Sequence, residues 1–135
     1  ILAEDAGENR AALESYQRLF DLNGAVFYRY KVASLQFQLE RHGECLANIE
    51  AMLQSSEIDG AQIHLAWPGG AGDVALNAAL LNLRGNLELA VNQEGKARKS
   101  FREALKISPD FGLPRQNINA LRQKDRERWE NDNDR

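Results

Sequence analysis

Two amphipathic helical segments, separated by a short turn and followed by a proline, constrain this chain more than any other feature. Apolar side chains recur every three or four positions, the period of a helix that buries one face: Leu80, Leu81, Leu83, Leu87, Leu89, Ala97, Phe101, Ala104 and Leu105. The first segment is predicted to end near Val91 and Asn92, since asparagine tolerates the left-handed conformation that ends helices. The second must end before Pro109, which cannot continue a helix. The sequence therefore predicts two antiparallel helices whose turn lies between Val91 and Gly95.

Composition agrees with an all-α domain. Apolar residues make up 43% of the 135 positions and charged residues 27%, close to the average of a soluble globular protein. The net charge of −3 offers no basic face for nucleic acid, and no apolar run approaches the roughly 20 residues that span a bilayer. We expect a soluble domain, cytoplasmic or periplasmic, with no nucleic-acid partner and no membrane insertion.

Small and aromatic residues in the predicted hairpin follow a fixed spacing that resembles the tetratricopeptide repeat, a helix–turn–helix unit of about 34 residues: Gly85, Ala97, Phe101, Ala104 and Pro109. Gly85 and Ala97 lack bulk where two helices cross, and Phe101 fills the space between neighbouring hairpins. Arg84 and Glu88 depart from the repeat pattern, because apolar residues are usual at their positions. This departure predicts either a slightly rotated first helix or a solvated edge.

The same pattern recurs upstream. Residues 43–53 mirror residues 95–105, with Ile49 in the place of Phe101, and Ala12, Tyr16, Leu19 and Phe20 repeat it once more. The resemblance implies an α-solenoid of about 2.5 tetratricopeptide-type hairpins. Its repeat units are predicted at residues 1–23, 24–56 and 74–111, with first helices at 24–41 and 74–91 and second helices at 9–21, 43–55 and 94–107. Extrapolating the period places Ile1 inside a first helix, which predicts a fragment cut from a longer array.

The second and third units are separated by about 18 residues more than the repeat period requires. We therefore predict an insertion loop at residues 57–73, outside the stacked helices. Residues 62–67 alternate in polarity, which favours a short extended segment. The glycine-rich residues 69–73 are predicted to be a flexible connector rather than a phosphate-binding loop, which requires fixed glycine spacing. Asp73 is predicted to cap the helix that follows.

The C-terminal part predicts one further helix and a polar end. Leu113, Ile118 and Leu121 form a narrow apolar stripe, which indicates a capping helix over residues 112–128. Residues 129–135 are predicted to be a charged tail that frays in solvent. Trp129, at the start of this tail, either folds back on the capping helix or contacts another molecule.

No residue pattern indicates catalysis. His42 and Cys45 have a His-x-x-Cys spacing, but a structural zinc site needs four ligands and the sequence has no second pair. The alternative of a Cys45–His64 nucleophile pair is disfavoured, because Cys45 lies on the predicted packing face of its helix and reactive cysteines occupy electropositive clefts. We predict no enzyme activity, no catalytic residues, no cofactor and no metal site.

A binding groove is predicted from the resemblance, in which first helices line the concave side of the array. The helix at residues 24–41 carries two apolar stripes, one more than a single neighbour can cover. The predicted groove combines the second stripe with two carboxamides of the next first helix: Phe27, Tyr30, Ser34, Phe37, Asn82 and Asn86. Aromatic rings would supply buried area and the carboxamides would bond a peptide backbone. The alternative is that Phe27 and Phe37 belong to the core. Trp67 either anchors the insertion or contacts a partner.

These features predict a scaffold for protein–protein interaction that binds a protein or peptide partner. Two alternatives stay open at this point. The domain could be the non-catalytic, substrate-positioning arm of a larger enzyme such as a protease or transferase. It could also be a self-assembly module that forms a homo-oligomer through the exposed face of its truncated N-terminal repeat.

Overall fold

A computed structural model describes residues 3–134. Within this range six α-helices follow one another as α1 (Ala3–Asn23), α2 (Val26–Gln38), α3 (His42–Leu53), α4 (Leu76–Ala90), α5 (Glu94–Ile107) and α6 (Gly112–Asn133). A short 3-10 helix (Ser56–Ile58) and two strands, β1 (Gln62–Trp67) and β2 (Gly70–Ala75), lie between α3 and α4. The described chain is therefore mostly helical with one small two-stranded sheet, and the all-α prediction omitted that sheet.

The predicted turn between α4 and α5 is confirmed. Asn92 adopts a left-handed conformation with φ of 62°. Its N–H donates to the carbonyl of Leu89, and the N–H of Gln93 donates to the carbonyl of Glu88. These two bonds satisfy carbonyls that the end of α4 would otherwise leave unpaired. Helix α5 then ends at Ile107, two residues before Pro109, as the sequence predicted.

Small residues allow α4 and α5 to cross closely, which is also confirmed. A β-carbon at Gly85 would lie 2.7 Å from Cδ1 of Phe101. Phe101, Ala97 and Ala104 are fully buried. The ring of Phe101 also packs with Ile118 from α6, so this side chain fills the space between the α4–α5 hairpin and the next helix.

The main core lies between the α2–α3 and α4–α5 hairpins. Helix α4 packs against α3 and α5 and also contacts α2. The buried apolar side chains come from both hairpins and from the insertion, and they include Ala33, Cys45, Ile49, Met52, Ile63, Val74, Leu76, Leu80 and Leu83. Burial of this apolar surface stabilises the fold at roughly 25 cal/mol per Å².

The N-terminal helix is longer than predicted. Residues 3–23 form the single helix α1, which packs against α2, whereas a second helix of a hairpin was expected to begin near residue 9. The sequence before residue 9 contains no proline, and Gly7, which lies in open space, lowers helix stability by only about 1 kcal/mol. Helix formation therefore continues back to Ala3. Ile1, expected inside a first helix, lies outside the described residues.

The insertion predicted as a loop at residues 57–73 contains an antiparallel hairpin. The extended segment predicted at residues 62–67 is strand β1, and it pairs with β2 from Gln62↔Ala75 to Trp67↔Gly70. Gly69, with φ of 85°, follows Pro68 in the tight turn, a position that favours glycine. The prediction of a flexible connector at residues 69–73 is wrong, because residues 70–73 pair with β1 and the next residue of β2, Val74, is buried in the core.

Two helix-end predictions are corrected as well. Asp73 does not cap α4: it lies in β2, where its carboxylate bonds the ring of His64 at 2.8 Å, and the residue preceding α4 makes no side-chain cap bond. Helix α6 continues to Asn133 instead of ending near residue 128. Two basic side chains of α6 bond the carboxylate of Glu94 on α5, Lys124 at 2.6 Å and Arg128 at 3.1 Å, and these bonds hold the helix beyond its apolar stripe.

Candidate functional site

The six predicted groove residues do not share one open surface. Tyr30 is only 8% exposed and Asn82 only 6% exposed. Ser34, Phe37 and Asn86 are half-buried, whereas Phe27 is 44% exposed. The structure therefore separates them into a buried set and an accessible set.

Tyr30 belongs to the core rather than to a groove, which corrects the expectation that it is accessible. Its side chain lies in the same buried cluster as Ala33 and Cys45. Burial raises the pKa of Tyr30 to about 12, and the neighbouring Cys45 adds to this effect. The hydroxyl therefore stays protonated across the neutral range, and the residue contributes to packing. Phe37 also packs against this cluster, as the core alternative foresaw.

A carboxamide cluster joins α4 to α6. The amide nitrogen of Asn117 donates to Oδ1 of Asn82 and to Oδ1 of Asn86, each at 3.2 Å. The amide nitrogen of Asn86 makes no hydrogen bond to any of the described residues, so it is available as a donor at a half-exposed position. Sequence reasoning missed Asn117. The sequence feature that could have identified it is its position midway between Leu113 and Leu121, where a polar residue interrupts the apolar stripe of α6.

The accessible part of α2 carries an aromatic ring beneath a cation. The ammonium of Lys31 lies 5.5 Å from the ring centre of Phe27, and Tyr28 meets the same ring edge-on at 5.6 Å. Such a cation–π contact contributes about 0.5–1 kcal/mol at an exposed site. We use the name helical face for five exposed or half-buried residues of α2, α4 and α6: Phe27, Lys31, Ser34, Asn86 and Asn117.

Arg84 and Glu88, which depart from the repeat pattern, form a polar network across three helices. Arg84 donates from Nε to the hydroxyl of Ser100 at 3.0 Å and from Nη2 to Glu103 at 3.0 Å. Ser100 in turn donates to Glu88 at 2.5 Å, and Glu50 of α3 lies 3.7 Å from Arg84. This network accounts for the solvated edge that the sequence suggested, and it holds α4 against α3 and α5.

The candidate nucleophile and metal residues lie in different surroundings. Cys45 is fully buried, and burial raises its pKa to about 12, although a backbone hydrogen bond at Phe37 partly offsets this. His64 is exposed on the hairpin and bonds Asp73. His42 packs its ring edge-on against Phe37 at 6.1 Å. Residues 3–134 contain no group of three or more histidine, cysteine or acidic side chains that could hold a metal ion.

Trp67 anchors the β-hairpin to the turn between α5 and α6. Its ring lies 5.5 Å from the ring of Phe111, centre to centre. A β-carbon at Gly70 would lie 2.7 Å from Nε1 of Trp67, and one at Gly112 would overlap the same ring. Both glycines therefore leave room for the indole. Gln116 adds a bond of 2.8 Å to the carbonyl of Pro68, next to the anchor.

Comparison with known proteins finds no family model, no curated protein and no solved structure that matches this chain. The resemblance to tetratricopeptide repeats accordingly stays a prediction from the residues. None of the helices in the described range has both the length and the apolar character of a membrane-spanning segment.

Proposed function

We propose that this chain is a non-catalytic protein-interaction module that binds a peptide segment of a partner on its helical face. The observation that carries the proposal is the amide nitrogen of Asn86 on α4, which forms no hydrogen bond to the part of the chain that the structure describes. Its hairpin packs beside the one that carries the exposed ring of Phe27. The resemblance of the α4–α5 hairpin to a tetratricopeptide unit supports the same reading, because first helices line the binding side of such arrays.

The recognition chemistry follows from the groups on the helical face. The ring of Phe27 offers apolar area to a partner side chain, and aromatic anchors of this kind dominate many interfaces. Asn86 donates to a peptide carbonyl, and its orientation is fixed because Asn117 already bonds its oxygen. Tyr30 and Asn82 are buried, so we do not expect them to contact the partner.

Selection of peptides from a randomised display library against the purified chain tests the proposal. Selected peptides should bind the parent chain and lose about tenfold or more in affinity on Phe27→Ala or Asn86→Ala, the loss typical of an interface anchor or a hydrogen bond. Leu46→Ala is the matched control, because Leu46 is 38% exposed but lies on α3. Failure to enrich any peptide, or equal losses on Phe27→Ala and Leu46→Ala, would contradict the proposal.

Self-association is a second candidate, because exposed apolar side chains cluster near the connection between α1 and α2. Leu22 is 83% exposed, and Leu19 and Phe27 are also exposed. Single apolar residues on a surface are ordinary, whereas a group of them favours an interface. Light scattering across a dilution series measures this directly: a concentration-dependent dimer that Leu22→Asp abolishes would support self-association, and a monomer at the highest concentration would exclude it.

A further inference from the structure

The β-hairpin exposes a strand edge whose outward-pointing backbone groups form no hydrogen bond within residues 3–134. The two-residue turn fixes Trp67 and Gly70 as a hydrogen-bonded pair, so the bonded pairs alternate along the ladder from that point. Ala71 and Asp73 fall at the non-bonded positions of β2, and their N–H and C=O groups therefore point away from β1. Neither residue makes a backbone hydrogen bond to another element of the described chain. An edge of this kind is a template for an additional strand.

A groove of about 220 Å³ runs between this edge and the turn that connects α5 to α6. The half-buried Trp67 and the fully buried Phe111 lie along its floor, and Asp73 and Asp110 contribute carboxylates. Asp110 forms no ion pair or side-chain hydrogen bond with the residues that the structure describes. Arg115 reaches the same turn, but it donates to the carbonyl of Pro109 and does not line the groove. The groove therefore combines a half-buried indole with two carboxylates, and its lining contains no lysine, arginine or histidine.

We propose that the edge of β2 binds an extended, basic peptide segment of a partner protein as a third strand, with a lysine or arginine side chain seated in this groove. Main-chain bonds to Ala71 and Asp73 would supply the pairing, as in other strand-addition complexes. Carboxylates and aromatic rings together attract a cationic side chain. The charge of the groove selects a basic segment over an acidic one.

The residues of β2 suit such an approach better than those of β1. Gly70, Ala71 and Gly72 carry little or no side chain, so a partner backbone can come close to the edge. The other edge carries Gln62 and His64, which are bulkier, and the pocket beside Gln62 contains Asp59 but no aromatic ring.

Fluorescence of Trp67 provides the assay. The chain has two tryptophans, and Trp129, 67% exposed on α6, is replaced by phenylalanine so that Trp67 is the single reporter. The probe is a short blocked peptide of alternating valine and threonine with a central lysine. We expect saturable binding that weakens about tenfold when the central lysine is replaced by glutamine, and further when it is replaced by glutamate.

Two proline variants distinguish the edges. Ala71→Pro removes one of the outward N–H groups of β2, the one at residue 71, whereas Ala66→Pro removes the outward N–H of the residue directly opposite on β1. Neither change removes a bond within the hairpin. Ala71→Pro should abolish binding and Ala66→Pro should leave it intact. Asp110→Asn, which keeps the side-chain shape, should weaken binding of the lysine peptide but not of the glutamine peptide.

The proposal is overturned if the lysine peptide does not bind, or if the affinity for the peptide does not depend on the charge of its central residue. Equal binding of the lysine peptide to the two proline variants would also overturn it. If Ala71→Pro unfolds the hairpin, Asp110→Asn still tests the proposal, because it should weaken binding of the lysine peptide and leave binding of the glutamine peptide unchanged. Phe27→Ala leaves this edge untouched, so failure here is distinct from failure of the proposed helical face.

Discussion

Replacement of Gly85 by alanine tests the close crossing of α4 and α5, on which the helical packing depends. A β-carbon at this position would lie 2.7 Å from Cδ1 and 2.8 Å from Cζ of Phe101, and it would overlap Cε1. The ring or the helix must therefore move. The ring has no open space, because Phe101 is fully buried and packs with Ala97, Ile118 and Leu121.

Two effects of opposite sign determine how much Gly85→Ala changes the free energy of unfolding. Alanine favours a helix over glycine by about 1 kcal/mol, whereas overpacking a filled core costs about 1–3 kcal/mol. We expect overpacking to exceed the gain because the ring of Phe101 is enclosed on every side. Gly85→Ala should lower the free energy of unfolding by about 1 kcal/mol, which for a domain of this size is roughly 4 °C in Tm. Gly85→Leu should cost more, because its additional carbons enter the same crossing.

Urea unfolding followed by far-ultraviolet circular dichroism measures the change. Gly7→Ala is the matched control, because Gly7 lies within α1 with no atom near its absent β-carbon, and it should stabilise the chain by up to about 1 kcal/mol. In a Phe101→Leu background the penalty of Gly85→Ala should shrink, because the smaller side chain leaves room. Equal or greater stability of Gly85→Ala in the chain that retains Phe101 would refute the close crossing.

Three further predictions concern titration and anchoring. Burial raises the pKa of Tyr30 from 10.0 and of Cys45 from 9.0, each to about 12. The unfolded chain releases these protons first, so the free energy of unfolding should fall by roughly 1.4 kcal/mol per pH unit for each group, from pH 9 to 12 for Cys45 and from pH 10 to 12 for Tyr30. Cys45→Ala should flatten this slope, measured by urea unfolding at a series of pH values. Hydrogen bonds from Lys124 and Arg128 lower the pKa of Glu94, so the stability that these bonds give to the folded chain is present above the ordinary carboxylate pKa and lost as pH falls. Glu94→Gln should speed hydrogen exchange at the end of α6 at neutral pH, and unchanged exchange would contradict this. Trp67→Ala should destabilise the hairpin by about 2 kcal/mol, seen as faster hydrogen exchange in β1 and β2 with α1 unaffected.

Local signals explain why the α4–α5 hairpin was predictable from the sequence. The helical period, the left-handed Asn92 and the helix-breaking Pro109 all act within a few residues of the boundaries that they set. The close approach of Gly85 and Phe101 was predictable from residue spacing as well. The spacing that resembles a tetratricopeptide repeat implies a small residue opposite a large one.

The β-hairpin was only half predictable, because its second strand depends on distant contacts. Gly70 and Gly72 have weak strand propensity, and the sequence alone favoured a flexible connector there. Pairing with β1 and the packing of Trp67 on Phe111 determine the strand, and neither is visible within residues 69–73. Because of the same contacts Asp73 lies in strand β2, and it therefore does not cap α4.

The candidate site illustrates a similar limit. Helical spacing shows that Tyr30 and Phe27 share one face of a helix, but it does not show how far the neighbouring helices cover that face. In the structure the neighbouring helices bury Tyr30 but leave Phe27 exposed. Asn86 is half-buried and stays a predicted contact, whereas its hydrogen-bond partner Asn117 lies too far along the chain for helical spacing to connect the two.

The central claim, that a partner peptide binds the helical face, is tested most directly by nuclear magnetic resonance. Uniformly ¹⁵N-labelled chain is titrated with a peptide recovered from the display selection, and the perturbed amide and side-chain resonances are mapped. The account predicts that the largest perturbations occur at Phe27, Ser34 and the side-chain amide of Asn86. Perturbations confined to α1, α3 or the β-hairpin would contradict it.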